Sequence, residues 1–198
     1  TCQHAGRNLI RTDPDGKITV LVDRYDGKKL NSPNDLAIHS DGTIWFTDPT
    51  YGLKEEPSEI GSNNVYRFNP ESKELHAVCS DLDMPNGFAF SHDEKLVFIS
   101  DTGRIGTIRV FDIPKSGASL TQPIFEIDIR CDGMCVDSEG NLYTTSQGGV
   151  HVFAPDGSKL GLIPVAEQPA NVCFGGADFQ TLFITARSSV YSIPLRVS

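Results

Sequence analysis

The stretch Met84-Pro85-Asn86-Gly87-Phe88-Ala89-Phe90 places a polar residue, Asn86, at the start of an alternating apolar run. A turn at residues 91–95 and a second apolar run at residues 96–100 follow it. Apolar side chains at every second position are typical of a half-buried β-strand. The stretch therefore predicts a pair of strands with one polar side chain at its entrance.

The same unit recurs three more times along the chain. The other copies open at Asn34, Asp132 and Asn171, and each has an apolar run, a short polar turn and a second apolar run. Supersecondary units that repeat every 40 to 50 residues or so are typical of propeller blades. We therefore treat the chain as one array of repeats rather than as two domains.

A second pair of strands follows each unit, and its first member ends at a proline. These prolines are Pro14, Pro70, Pro114, Pro155 and Pro194. Proline followed by Asp-Gly or Glu-Ser favours a tight turn into a further strand. No stretch carries a helical stripe, because Gly and Pro interrupt every window. The sequence predicts an all-β protein of four-stranded antiparallel blades, whose first strands line a central channel.

The strand count predicts a single, incomplete β-propeller domain over residues 1–198, with about four and a half blades. We expect the outer two strands of one blade (roughly 6–24) and three strands of a last blade (171–195). Between them we expect three complete blades at roughly 34–82, 86–128 and 132–166. We interpret the chain as an N-terminally incomplete six-bladed propeller, whose open sheet edges would attract another chain.

The charge, the apolar runs and the cysteines of the sequence limit which partners and compartments we expect. A formal net charge of −9 argues against nucleic acid, which requires clustered Lys and Arg. No apolar run approaches the roughly 18 residues that cross a membrane. The five cysteines form no C-x-x-C pair, so we expect mainly buried, reduced thiols rather than structural zinc. We expect a cytoplasmic protein, and leave a periplasmic or secreted one open because a targeting signal would precede Thr1.

The four anchors should meet at one mouth of the channel, because each stands at the start of a first strand. Amide and carboxylate oxygens of Asn34, Asn86 and Asp132 would suit a hard cation such as Ca²⁺. The alternative is that such residues are ordinary turn formers. A site with one carboxylate would hold a divalent ion weakly, so we expect another acid outside this stretch.

Several short motifs, taken in their order and spacing, resemble the gluconolactonase and regucalcin (senescence marker protein) family of six-bladed propellers. The likeness covers essentially the whole chain and is closer to the bacterial-type gluconolactonases than to regucalcin. The motifs are Cys2-Gln3-His4 with Arg11-Thr12, Leu30-Asn31-Ser32-Pro33-Asn34-Asp35, Trp45-Phe46-Thr47-Asp48-Pro49-Thr50-Tyr51-Gly52, Pro85-Asn86-Gly87, Asp132-Gly133-Met134, Cys173-Phe174-Gly175-Gly176 and Thr185-Ala186-Arg187.

The resemblance implies a divalent-metal-dependent hydrolase that opens a sugar lactone to the aldonic acid. Ca²⁺ is the expected ion, with Zn²⁺, Mg²⁺ and Mn²⁺ as alternatives. Asn86 and Asp132 match two metal ligands of the family, and Asn34 matches an Asn that binds substrate or reaches the metal through water. The third family ligand, a Glu in the first blade, has no counterpart here. Ser32 stands where the regucalcin branch has a sugar-contacting Arg, which leaves the substrate open.

Further roles are expected from the same resemblance. Asp132 would orient the attacking water as a metal ligand or act as its general base. Tyr51 and His4 would hydrogen-bond sugar hydroxyls, with loop packing and a structural histidine on or near a third strand as the alternatives. Arg187 would bind an anionic substrate or product, or pair with a loop carboxylate. Asn171 would contact the metal ligands rather than the metal itself.

Two other functions compete with a lactonase. A phosphotriester or fluorophosphate hydrolase can use a similar Ca²⁺-binding propeller, and only substrate profiling separates the two. A catalytically inactive propeller that serves as a binding platform predicts no EDTA-sensitive activity. The missing first blade favours an inactive chain more than any other feature of the sequence does.

Overall fold

The computed structural model describes residues 1–114 and 119–197. Residues 115–118, which fall inside the predicted blade at 86–128, and residue 198 lie outside the described residues. The strands are β1 (Cys2–Gln3), β2 (Asn8–Thr12), β3 (Ile18–Val22), β4 (Arg24–Tyr25), β5 (Lys28–Lys29), β6 (Leu36–Ile38), β7 (Ile44–Asp48), β8 (Asn64–Phe68), β9 (Leu75–Cys79), β10 (Pro85–Phe90), β11 (Leu96–Asp101), β12 (Thr107–Asp112), β13 (Phe125–Ile127), β14 (Met134–Val136), β15 (Leu142–Ser146), β16 (Gly149–Phe153), β17 (Lys159–Pro164), β18 (Pro169–Gly175), β19 (Thr181–Ala186) and β20 (Val190–Pro194).

Helical structure in the described ranges is limited to a short 3₁₀-helix at Tyr51–Leu53. Among the described residues, no helix is long and apolar enough to cross a membrane. The prediction of an all-β protein is confirmed.

Five antiparallel sheets follow one another in chain order. Three have four strands each (β6–β9, β10–β13 and β14–β17), and the last has three (β18–β20). These sheets match the predicted complete blades and the predicted last blade. Between the first two sheets, β4 and β5 form a small hairpin.

The first sheet differs from the prediction. It contains three strands rather than two, because the two-residue strand β1 pairs with β2. A strand of two residues is too short to show alternation, so the sequence pattern could not reveal it. The described residues thus form five blade-like sheets. A sixth blade remains a prediction, as does the assignment of all residues to a single domain.

Apolar side chains pack between consecutive sheets, because each half-buried strand turns its apolar face toward a neighbouring sheet. One cluster joins the second and third sheets and includes Trp45, Phe88 and Phe111. Equivalent clusters join each other pair of neighbouring sheets. The core is therefore a series of layers between blades rather than a single centre.

The first strands line a central cavity of about 600 Å³, as predicted. Its wall is formed mainly by apolar residues of β6, β10, β14 and β18, among them Leu36, Phe88, Met134 and Val172. β3 and β20 each pair with one strand. Association through these sheet edges remains a prediction.

The cysteines agree only partly with expectation. All five thiols are unpaired. Cys79 and Cys131 are buried, but Cys2 and Cys135 are partly exposed and Cys173 is exposed. The prediction of free thiols is confirmed, whereas burial holds fully for two of them.

Asp48, at the end of β7, is a fully buried carboxylate. Its side chain is 0% exposed, and its Oδ2 accepts a hydrogen bond of 2.8 Å from the backbone N–H of Asn31. Burial raises the pKa of Asp48 to about 7, and hydrogen bonds from the backbone of Asn31 and Ser32 only partly oppose that rise. Asp48 therefore binds its proton more tightly in the folded chain than in the unfolded one.

We expect the stability of the wild type, relative to Asp48→Asn, to fall as pH rises from about 4 to 8. Across this range the unfolded chain has already lost the proton that the folded chain retains, so raising the pH favours unfolding. The relative loss should be roughly 4 kcal/mol, since the pKa rises from 3.8 to about 7 and each pKa unit corresponds to about 1.4 kcal/mol. Urea unfolding of both proteins at several pH values measures it, and parallel pH profiles would show that Asp48 does not titrate in this way.

Candidate active site

Asn34, Asn86 and Asp132 occupy the same position in three successive sheets. Each is the first of two residues that lie opposite a single residue of the neighbouring strand. The N–H of Asn34 donates to the carbonyl of Thr47 (2.9 Å), and the N–H of Asp132 donates to the carbonyl of Thr145 (3.0 Å). Such β-bulges bend a strand and re-aim its side chains. The bulges direct all three side chains to one mouth of the channel.

The bulge in β10 produces a shift in register between Pro85 and Phe88. Gly87, within it, lies directly against the next sheet, and a Cβ added there would be 1.9 Å from the carbonyl oxygen of Asp132. The backbone at Asn86 thus abuts the backbone at Asp132. No residue larger than glycine allows this approach without a shift of the backbone.

Hydroxyl groups on the second strands hold the neighbouring anchors in place. Thr47 Oγ1 donates to the carbonyl of Asn86 (2.8 Å), and Thr145 Oγ1 donates to the carbonyl of Ala170 (3.0 Å). Ser100 makes a similar bond to the carbonyl of Cys131. The sequence prediction missed these residues, although a Ser or Thr close to the end of each second strand was a readable signal.

Asn171 lies one residue further into the channel than predicted. Its N–H donates to Thr185 Oγ1 (3.1 Å), and its Oδ1 accepts from the N–H of Val172 (2.8 Å). Asp35, the residue after Asn34, makes the same two contacts with Thr47 and Leu36. Asn171 is therefore equivalent to Asp35, and Ala170 holds the position equivalent to Asp132. In its bulge the polar residue stands at the second position and Ala170 at the first, so Asn171 lies one residue away from the predicted ring position.

A row of hydrogen bonds links the predicted site residues. His4 Nε2 lies 2.9 Å from Asn34 Oδ1, and Asn34 Nδ2 donates to Asn86 Oδ1 at 2.5 Å. The side chain of Asn86 also lies close enough to the Asp132 carboxylate to lower its pKa. His4 follows β1, so it stands where a second strand ends rather than near a third strand as predicted. The structure thus brings four predicted residues from four sheets together.

Tyr51 lies beside Asn86 in this row of side chains. It lies in the 3₁₀-helix that follows β7, and its hydroxyl receives a long hydrogen bond of 3.4 Å from Asn86 Nδ2. The same hydroxyl contacts Thr102 Oγ1 of the next sheet. Burial raises the pKa of Tyr51, so this hydroxyl stays protonated near neutral pH.

Asp132 stands at the mouth with part of its carboxyl group open to solvent. Partial burial raises its pKa, and the neighbouring Asn86 side chain opposes that rise. Asp35, deeper in the channel, has its pKa raised to about 6 by burial and, to a smaller extent, by the charge of Asp132. Backbone N–H groups of Leu36 and Phe88 bind the Asp35 carboxylate. The two carboxyl groups are therefore close enough to interact electrostatically.

A cavity of about 700 Å³ opens beside Asn86 and Asp132. Thr145 and Gln147 contribute to its wall, and so does Arg130, which the sequence prediction missed. A sugar lactone is small enough for a cavity of this volume.

Two other residues of interest lie outside this cavity. Arg187 is exposed and forms no ion pair with any carboxylate in the described part of the chain, so the predicted pairing with a loop carboxylate is not found. Ser32 is fully buried; its hydroxyl donates to the carbonyl of Pro49 and accepts from the N–H of Gly52. Ser32 therefore shapes the loop rather than the wall of the site.

The donors at this mouth fit a hard cation in kind. Asn86 and Asp132 offer amide and carboxylate oxygens side by side, and the Asp132 carboxylate has no Lys or Arg partner within 4.0 Å among the described residues. The charge is small, because residues 1–114 and 119–197 contain no group of three or more His, Cys, Asp or Glu side chains suited to a metal. This agrees with the expectation that one carboxylate is too few for tight binding.

Comparison with known proteins gives a consistent picture. The chain is 34% identical to a gluconolactonase of Zymomonas mobilis over 224 residues, covering 95% of this chain and 63% of that protein. It is 30% identical to the lactonohydrolase oryL of Aspergillus oryzae, covering 93% of this chain and 49% of that protein. The chain thus spans about half to two thirds of the length of these curated relatives.

A solved structure shares the fold closely. A gluconolactonase from Xanthomonas campestris superposes with a TM-score of 0.88 at 38% identity, covering 98% of this chain and 67% of the other. The family described as SMP-30/Gluconolactonase/LRE-like region matches residues 1–188. The match of the family over residues 1–188 and these relatives show that the chain belongs to the SMP-30/gluconolactonase/LRE-like family.

Proposed function

We propose that this chain carries a lactone-hydrolysing site that opens a sugar lactone to its aldonic acid. The observation that carries the proposal is the row of Asn34, Asn86 and Asp132, in which Asn34 hydrogen-bonds Asn86, and Asn86 and Asp132 both line a cavity of about 700 Å³. The names of the relatives, gluconolactonase and lactonohydrolase, indicate the substrate class.

Asn86 and Asp132 would hold a divalent cation, with Ca²⁺ favoured by their oxygen donors and Zn²⁺, Mg²⁺ or Mn²⁺ as alternatives. When bound, such an ion draws electron density from the lactone carbonyl, a contribution of several kcal/mol. Asn86 would have to release the Asn34 amide from its Oδ1 to offer that oxygen as a ligand. Asn34 would then be free to bind a substrate hydroxyl.

The protein side chains supply orientation and proton transfer. His4 fixes the Asn34 amide, and Tyr51 presents a protonated hydroxyl beside Asn86. Asp132 can orient the attacking water, or accept its proton on a carboxylate oxygen. A bound cation lowers the pKa of Asp132 and weakens it as a base, so we favour the orienting role.

Acid release from D-glucono-1,5-lactone, followed with a pH indicator and corrected for spontaneous hydrolysis, tests the proposal. We expect EDTA to reduce the rate at least about tenfold, because the cation supplies several kcal/mol. Adding back Ca²⁺ or Zn²⁺ should restore it. An unchanged rate in EDTA would contradict metal dependence, and no rate above background in any metal would favour the binding platform.

The phosphotriester alternative is tested in the same assay. Paraoxon releases a coloured phenol, so its hydrolysis is measured directly. A faster turnover of paraoxon than of every lactone tried would assign the site to phosphotriesters. A lactone preference in kcat/KM would support the present proposal.

A further inference from the structure

Arg130 is the positive charge in the wall of the cavity that contains Asn86 and Asp132. It precedes Asp132 by two residues. Its Nη1 group donates to the carbonyl of Thr102, and its Nη2 group donates to that of Gly103 at 2.7 Å. Both acceptors are neutral backbone groups, so these bonds position the guanidinium without neutralising its charge.

The position of Arg130 is built by three segments of the chain. Besides the loop at Thr102, Ser146 Oγ donates to the Arg130 carbonyl at 2.6 Å. Gly106, at φ +76°, lies so close that an added Cβ would be 3.0 Å from Arg130 Nε. Arg130 is exposed, but these contacts hold its side chain against the loop at Thr102 and Gly103.

No carboxylate in the described residues lies within 4.0 Å of Arg130. Its neighbours differ, since Arg104 pairs with Asp83 (3.5 Å) and Arg109 with Glu126 (3.4 Å). Arg130 therefore keeps an unpaired positive charge in the wall of this cavity. A guanidinium has five N–H donors, and those not used on the two carbonyls suit an oxyanion.

The rest of the cavity wall is uncharged apart from Asp132. Gln147 and Gln168 offer amides that suit sugar hydroxyls. A ligand would thus meet a metal-binding carboxylate at one place and a guanidinium at another. The arrangement fits a molecule with an ester carbonyl at one end and an anionic group at the other.

We propose that Arg130 is a specificity-determining residue that selects sugar lactones carrying a second, free carboxylate. The proposal rests on the lactonase function proposed above. The proposed substrates are aldarolactones, in which a carboxylate replaces the terminal hydroxymethyl group of an aldonolactone. The carboxylate would lie against Arg130 while the ring ester lies at Asn86 and Asp132.

A merely structural role for Arg130 makes a different prediction. Thr102 contacts the Tyr51 hydroxyl, so loss of the Arg130 clamp could displace Tyr51. Such a displacement would impair every lactone alike. The ratio between a charged and a neutral substrate separates the two roles.

D-glucaro-1,4-lactone and D-glucono-1,4-lactone form a matched pair, because they differ only in a terminal carboxylate or hydroxymethyl group. In Arg130→Gln we expect KM for the glucarolactone to rise about tenfold to a hundredfold, as for loss of a charge-assisted hydrogen bond. KM for the gluconolactone should change by less than about threefold, as no charged contact is lost. Arg130→Lys should retain part of the preference because it retains the charge.

Arg104→Gln is the matched control. It removes an equal charge near the same mouth from a side chain that is 93% exposed and paired with Asp83. We expect both KM values to stay unchanged. Equal changes for the two lactones in Arg130→Gln, or none, would overturn the proposal and leave the lactonase function standing.

Calorimetric binding of D-glucarate and D-gluconate gives a readout that needs no turnover. Tighter binding of glucarate by the wild type, lost in Arg130→Gln, supports an anion subsite at Arg130 even if no lactone is hydrolysed. That combination would refute the lactonase and not the subsite. Equal affinity of the wild type for both acids would overturn the assignment of Arg130.

Discussion

Asp132→Asn should lower kcat/KM for glucono-1,5-lactone by about a hundredfold to a thousandfold, the usual effect of removing one electrostatic stabiliser of the transition state. Asn has the same shape as Asp and can still hydrogen-bond Asn86. It removes the charge that would hold the cation and the oxygen that could accept a proton. Initial rates of acid release at saturating Ca²⁺ measure the effect.

Asp83→Asn is the control for this substitution. Asp83 is an exposed carboxylate near the same mouth that pairs with Arg104, and it lies outside the cavity of Asn86 and Asp132. We expect its variant to keep activity within about twofold, as surface substitutions usually have small effects. Full activity in Asp132→Asn, with wild-type circular dichroism, would remove the basis of the proposed mechanism.

A double variant tests whether Asn86 and Asp132 act as one unit. Residues that hold the same ion have strongly non-additive effects. Asn86→Ala combined with Asp132→Asn should therefore be no slower than the slower single variant. If the loss of activity in the double variant equals the product of the two single losses, the two residues serve separate functions.

Trp45→Ala should reduce the free energy of unfolding by about 3–5 kcal/mol, as for other large side chains removed from a core. Trp45 is 1% exposed and lies between the sheets of β6–β9 and β10–β13. Its ring lies 5.6 Å from that of Phe90 in an edge-to-face contact, and its Nε1–H donates to Thr43 Oγ1 at 3.1 Å. Urea denaturation measures the loss.

Ile105→Ala provides the comparison, because Ile105 is 74% exposed. We expect its effect to stay within about 0.5 kcal/mol. The two sheets that Trp45 joins also carry Asn34 and Asn86, so Trp45→Ala should lose lactonase activity at a lower temperature than the wild type. Similar midpoints for the two variants would show that packing between these blades contributes little.

Much of the fold was predictable from local pattern. Alternating apolar residues, with Gly and Pro at the turns, gave the four-stranded sheets and the last three-stranded one. The sequence analysis missed β1 because two residues are too few to show an alternating pattern. Only the pairing of β1 with β2 in the structure identifies it as a strand. The structure places Asn34, Asn86 and Asp132 side by side, whereas their roles in catalysis remain predictions.

Each error concerns a feature that contacts between strands decide. Asn171 was misplaced by one residue because the sequence does not show which of the two bulge residues, Ala170 or Asn171, stands at the first position. His4 was placed near the wrong strand because β1 was not foreseen. Arg130 was overlooked because a guanidinium on a loop carries no signal until the cavity beside it is known.

Alternation and turn chemistry are properties of neighbours in the chain, and they sufficed to specify an antiparallel all-β array and its polar strand entrances. Contacts such as Thr47 with Asn86, or Gly87 with Asp132, join residues roughly 40 to 50 positions apart, one blade to the next. No local rule encodes them, since they depend on how closely two sheets approach and how far each bulge turns a side chain. For that reason only the packing between blades shows which residues line the site, Arg130 among them.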